Sequence, residues 1–73
     1  MIDSKVGIHT TTNPSGTGWA NVANGEVLSS HDGKSAAIAE GRRLARRHGA
    51  NLTIHRRDGS VGVTQSYGPS PIA

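Results

Sequence analysis

Residues 32–49 read DGKSAAIAEGRRLARRHG, and the spacing of apolar positions in this stretch decides the fold. Projected at about 100° per residue, Ala37, Ile38, Gly41, Leu44, Ala45 and His48 fall within one arc of about 120°. Ala, Arg, Leu and Glu are good helix formers, and only Gly41 interrupts them. The spacing therefore predicts one amphipathic helix over Lys34–His48. Asp32 or Gly33 is placed to cap its start, and Gly49 follows the basic last turn as the residue that takes left-handed φ. Gly41 lies on the apolar face, where it lowers helix propensity by about 1 kcal/mol relative to alanine. Close approach of the helix to a sheet accounts for a glycine at that place.

On both sides of the helix the period changes to two, the period of half-buried strands. Upstream, Trp19–Ala23 and Glu26–His31 read as strands joined by Asn24-Gly25, because a type I′ turn needs φ > 0 at both central positions. Downstream, Leu52, Ile54, Val61 and Val63 alternate with polar residues about Asp58-Gly59. This reads as a second turn of the same kind, between strands Asn51–Arg57 and Ser60–Tyr67. Near the start, Val6, Ile8 and Thr10 alternate with Lys5, Gly7, His9 and Thr11, an additional N-terminal strand that is short or at a sheet edge. Asn13-Pro14-Ser15-Gly16 stops it and opens a mobile loop to Gly18. The fold class is α+β: a small antiparallel sheet with one amphipathic helix, in the order β-β-α-β-β with the extra strand in front. One domain spans residues 5–67. Gly68-Pro69-Ser70-Pro71 begins a flexible proline-rich tail over residues 68–73, because each proline removes a donor and restricts its predecessor.

A chain of 73 residues builds one small domain,. Apolar residues make up 33% of it, eight of them are alanine, and Trp19 and Tyr67 are the sole aromatics, so the core must be thin. A second copy would bury what one copy leaves exposed, and a homo-oligomer is the expectation. The absence of cysteine excludes a disulfide framework and a thiolate zinc site,. Small size, and the lack of any Ser-His-Asp pattern or strained nucleophile turn, argue against an enzyme. No apolar run follows Met1–Lys5, and no segment approaches the ~20 apolar residues of a membrane span. The expected location is the cytoplasm.

The formal net charge of +3 hides an asymmetry. Residues 41–57 hold Arg42, Arg43, Arg46, Arg47, Arg56 and Arg57 and no acid, so this block carries +6 and the remainder −3. On the helix, Arg42, Arg43, Arg46 and Arg47 occupy an arc of about 140° opposite the apolar face, with Ala36 and Ala39 among them. Long guanidinium forks above a low alanine surface suit phosphate oxygens, and each neutralised phosphate releases counterions. Strand alternation adds Arg56 to the helix side and sends Arg57 to the other. No aromatic residues are interleaved to stack bases, so the nucleic-acid reading is duplex backbone contact that is not sequence-specific. The same arginines also fit a solvated helix face. Basic residues suit the C-terminal end of the helix dipole, and Glu40 lies within reach of Arg43 and Arg47.

Four histidines, His9, His31, His48 and His55, are spaced by 22, 17 and 7 residues. No zinc motif has that spacing, so no metal site and no cofactor is expected. His55 with Asp58 is a weak acid-base pair, since an aspartate before glycine already has a structural role in a turn. Gly33-Lys34-Ser35 lacks the upstream glycine of a phosphate-binding loop, that position being Leu28, and Gly16-Thr17-Gly18 lacks its third glycine, that position being Asn21,. Both are turns, and no small-molecule substrate is inferred. Trp19 reads as a core residue or as an interface anchor beside an uncovered sheet face, and Tyr67 as a tail anchor or part of the same interface.

These motifs resemble a family of short bacterial domains that carries only the label "domain of unknown function". The resemblance rests on Trp19-Ala20-Asn21-Val22, the alanine-rich helix Ala37–Arg46, His55-Arg56-Arg57-Asp58-Gly59 and Ser66-Tyr67-Gly68. Val22 stands one place later than in the usual Trp-x-Val, and Ser70 precedes Pro71 where the family often has an acid. The resemblance covers Val6 to Pro71 and implies a β-β-α-β-β domain of bacteria or their mobile elements, with no established activity. Two functions fit the sequence: a small non-enzymatic protein that contacts nucleic-acid backbone through Arg42, Arg43, Arg46, Arg47 and Arg56, or a homodimeric or accessory protein-protein module that uses Trp19 and Tyr67.

Overall fold

The computed structural model describes residues 7–67. Lys5 and Val6, assigned to the domain from sequence, and the proline-rich tail over 68–73 lie outside the described residues. The elements are β1 (Ile8–Thr12), β2 (Trp19–Ala23), β3 (Glu26–His31), α1 (Lys34–His48), β4 (Asn51–His55) and β5 (Val61–Ser66). The α+β class, the single amphipathic helix and the strand-helix order agree with the sequence reading. Asn24 and Gly25 both have positive φ, 54° and 77°, as the type I′ turn requires,. Gly49 takes φ 62° and ends the helix, its N–H returning to the Ala45 carbonyl. At the other end Gly33 is the N-cap, and no side chain caps the helix.

The strand order is β3-β2-β1-β4-β5. This corrects two expectations. β1 is the central strand rather than an edge, and it pairs with β4 in parallel, so the sheet is mixed rather than wholly antiparallel. Parallel neighbours need a crossover connection. Helix α1 supplies it, passing over β2 and β1 to bring β4 back in the direction of β1. Ile8 and Thr10 are consequently fully buried beneath the helix.

Two turns also differ from their reading. Around Asp58-Gly59 only Gly59 has positive φ, 90°, and the turn has three residues, closed by the Arg56 N–H on the Ser60 carbonyl at 2.8 Å. Asp58 Oδ1 accepts from the Ser60 N–H at 2.9 Å and from its hydroxyl at 2.6 Å. These bonds end β4 at His55 and delay β5 to Val61. The segment expected to be a mobile loop is a closed turn, with the Asn13 N–H on the Gly18 carbonyl at 3.0 Å and Asn13 Oδ1 accepting from the Ser15 N–H.

The core is as thin as the composition implies: Ile8, Ala23, Ala45, Ala50, Leu52 and Ile54, with Leu28, Ile38, Leu44 and Tyr67 packed on its rim. At its centre lies a polar knot. Asn21 Nδ2 donates to the Ala37 carbonyl at 2.8 Å and to Ser29 Oγ at 3.1 Å, and its Oδ1 accepts from the Thr10 hydroxyl at 2.6 Å. Among the described residues no buried side-chain nitrogen or oxygen lacks a partner. Gly41 sits directly above the knot. A Cβ there would lie 2.6 Å from Asn21 Oδ1 and 2.9 Å from Thr10 Oγ1. Asn21 can therefore reach the helix backbone only because position 41 has no side chain.

Gly41→Ala tests this. Helix propensity alone favours alanine, but overpacking a site with hydrogen-bonded neighbours costs about 1–3 kcal/mol. We expect a lower urea midpoint for the variant, and an equal or higher midpoint would contradict the packing account.

Candidate polyanion-binding surface and a histidine pair

Arg42, Arg43, Arg46 and Arg47 all lie on the exposed side of α1, as the projection requires. They do not form one uniform patch. Arg43 is paired with Glu40, its Nε and Nη2 donating to the two carboxylate oxygens at 2.8 and 2.7 Å. The Arg43 hydrogen bond holds the Glu40 carboxyl below its ordinary pKa and raises that of the guanidinium. Arg43 is thereby paired with Glu40, one of the two pairings that the sequence offered against a free basic face.

Arg42 and Arg46 lean the other way, toward β5. Arg42 Nε donates to Gln65 Oε1 at 3.3 Å, and the Arg46 guanidinium lies 5.9 Å from the centroid of the Tyr67 ring. Tyr67 donates its hydroxyl to the same Gln65 oxygen at 2.6 Å. Arg56 continues the line at the far end of the hairpin, its Nη1 donating to Ser60 Oγ at 3.3 Å and its Cγ beside Gly62. Arg56, Arg42 and Arg46 thus meet Ser60, Gln65 and Tyr67 in turn along the β5 arm of the hairpin. Helix α1 packs on β1 to β4 only, which leaves that side of β5 open.

The remaining site residues separate from this row. Trp19 takes the core role: it is 6% exposed, with the Lys34 ammonium 4.9 Å from its ring centroid, and it has little surface left for an interface. Tyr67 is half-buried against the core. Arg57 is exposed in the turn beyond β4. No helix of the described residues is long and apolar enough to cross a membrane.

A family model matches residues 8–67, covering every element of this fold. The chain belongs to the DUF2188 family. Its description is "uncharacterized protein conserved in bacteria". No curated protein and no solved structure matches the chain.

The DUF2188 domain also holds a feature on its opposite face that sequence spacing concealed. Ile8, Thr10, Leu52 and Ile54 face the helix, so His9 and His55 project from the other side of the sheet,. His9 lies opposite Thr53 in the parallel β1–β4 pair, two residues before His55. Their rings approach to 5.1 Å between centroids, with His9 Nδ1 2.9 Å from His55 Nε2. His55 Nδ1 lies 3.0 Å from the Gly59 carbonyl. A carbonyl only accepts, so the proton of neutral His55 is on Nδ1 and its Nε2 accepts from His9 Nδ1–H. Partial burial, and then the neighbouring His55, lower the His9 pKa from its ordinary value. The two histidines are 46 positions apart, a spacing that matches no motif, and only the parallel pairing joins them.

The pair defines a measurable tautomer. Ring ¹⁵N shifts of the protein at neutral pH should show His55 protonated at Nδ1. A proton on Nε2 would leave the Gly59 carbonyl without its donor and reverse the direction of the bond to His9, and would contradict this arrangement.

Proposed function

We propose that this DUF2188 domain is a non-enzymatic protein that holds nucleic-acid backbone without reading its sequence. The observation that carries the reading is the row Arg56, Arg42 and Arg46 beside the uncovered strand β5. Arginine forks match phosphate oxygens, and the partners that orient Arg42 and Arg46 are uncharged side chains, while Arg56 shares Ser60 with the Asp58 carboxylate,. Arg47 adds charge from the exposed helix surface. The lack of interleaved aromatics on the helix favours duplex over stacked single strand.

Mobility shift on duplexes of unrelated sequence, at several salt concentrations, tests this reading. Contact by three or four arginines gives a slope of log affinity against log salt near −3, at about −0.9 per phosphate. Replacing Arg42, Arg46 and Arg56 together by alanine should abolish most of the binding. Arg43→Ala should weaken it less than Arg42→Ala, since Glu40 already occupies Arg43. Undetectable binding at low salt, or an unaffected triple variant, would sink the proposal.

A second reading, a homodimeric or accessory protein-protein module, is favoured by one observation. β5 is an edge strand whose Val61 and Val63 are 56% and 50% exposed. Edge strands with exposed apolar side chains are templates for pairing. Light scattering at high micromolar protein should then give a dimer mass that Val63→Lys returns to the monomer. A monomer mass for the unmodified chain would exclude self-association.

A further inference from the structure

We propose that two copies of this chain pair edge to edge through β5, and that this pairing completes the nucleic-acid surface with helix arginines from both. The inference rests on the nucleic-acid reading above and states which assembly carries it. Among the described residues β5 is hydrogen-bonded on one side only. Its sequence, Val61-Gly62-Val63-Thr64-Gln65-Ser66, holds neither a charge nor a proline, the devices that keep edge strands from pairing,. Val61 and Val63 are exposed on it. The other edge strand, β3, differs, since α1 packs on it and it opens with Glu26. A second copy of β5 is an occupant of matching chemistry, because each strand supplies the N–H and C=O groups that the other lacks.

The geometry of such a pair follows from symmetry. Identical edges close on each other when they run antiparallel about a two-fold axis. In an antiparallel pair that axis stands normal to the sheet, so both copies keep the same face up. Both helices then lie on one side of a continuous sheet, and the two β5 strands form an uncovered floor between them, because α1 packs on β1 to β4 only. Arg42 and Arg46 already lean over this floor, toward Gln65 and Tyr67. With the two β5 strands about 4.8 Å apart, the arginines of the two copies stand in adjacent antiparallel rows. The backbones of a duplex are also antiparallel and related by two-fold axes, so each row meets one of them. A single copy carries one row and half of the site.

The same arrangement couples pairing to the polyanion. Like charges set against each other oppose association. An edge contact of six residues is also small beside the roughly 1,200–2,000 Å² that stable interfaces bury,. The free dimer is therefore weak and forms at high protein concentration. Phosphates neutralise both rows and release their counterions, which removes the repulsion. The duplex thus strengthens the dimer, and by linkage the dimer binds duplex more tightly by the same factor.

Sedimentation of the full chain with duplexes of about one helical turn, roughly 10 bp, provides the test. The expected complex holds two chains per duplex and forms cooperatively. Val63→Lys guards the edge but adds a positive charge on the arginine side of β5. Binding by a single chain predicts equal or tighter affinity for this variant, whereas the paired site predicts a loss of at least about fivefold. Arg42→Ala combined with Arg46→Ala should dimerise more tightly than the unmodified chain at low salt without duplex, because the repulsion is gone, and should gain nothing from added duplex. All three positions are exposed, so the variants keep the fold, which circular dichroism verifies. One chain per duplex, with Val63→Lys bound as tightly as the unmodified chain, overturns the inference and leaves the nucleic-acid reading standing. A double-alanine variant that dimerises no more tightly also overturns it. Undetectable duplex binding at low salt overturns both.

Discussion

The side chain of Asn21 is the constraint around which the rest of this small protein is arranged. It joins the central strand at Thr10, the neighbouring strand at Ser29 and the helix backbone at Ala37, and it does so inside a core with few large apolar side chains. A buried amide left unpaired costs about 1–3 kcal/mol, so any shift of helix against sheet that breaks one of these bonds is opposed. In a domain this thin, hydrogen bonds of fixed direction supply the registration that interlocking large side chains would give elsewhere. Gly41 is the necessary counterpart, because its missing Cβ lets the helix descend onto the knot.

The position of the helix follows, and with it the position of the charges. Centred on Gly41, α1 covers β1 to β4 and stops short of β5. The arginines on that flank meet an open strand whose side chains are neutral, and Gln65 and Tyr67 orient two of them. On the other flank Glu40 takes Arg43. One helix thus carries a paired arginine on one side and guanidiniums free of carboxylates on the other. The distinction arises because Arg43 has Glu40 one turn back on its own helix, whereas Arg42 and Arg46 meet the uncharged Gln65 and Tyr67.

The same crossover that places the helix also makes β1 and β4 parallel neighbours, and this produces the histidine pair on the reverse face. The DUF2188 match spans residues 8–67, but the family description adds no activity. The chemistry attributed to the two faces therefore rests on side-chain placement. The helix arginines and the histidine pair are on opposite sides of one sheet, and neither depends on the other.

The local pattern in the sequence determined the helix, its ends and the Asn24-Gly25 turn. Periods of two and 3.6, glycine at positive φ and a cap after a basic turn are properties of neighbouring residues. The sequence also determined the +6 block and the thinness of the core. It could not place β1, because an Ile-His-Thr-Thr-Thr strand reads as an edge until Asn21 and the helix are seen to satisfy and bury Thr10. The contacts of Arg42 and Arg46 with Gln65 and Tyr67, and the meeting of His9 with His55, were likewise decided only by tertiary structure. Each depends on which strands become neighbours, and a parallel pairing across an intervening helix joins residues whose spacing in the chain carries no trace of it.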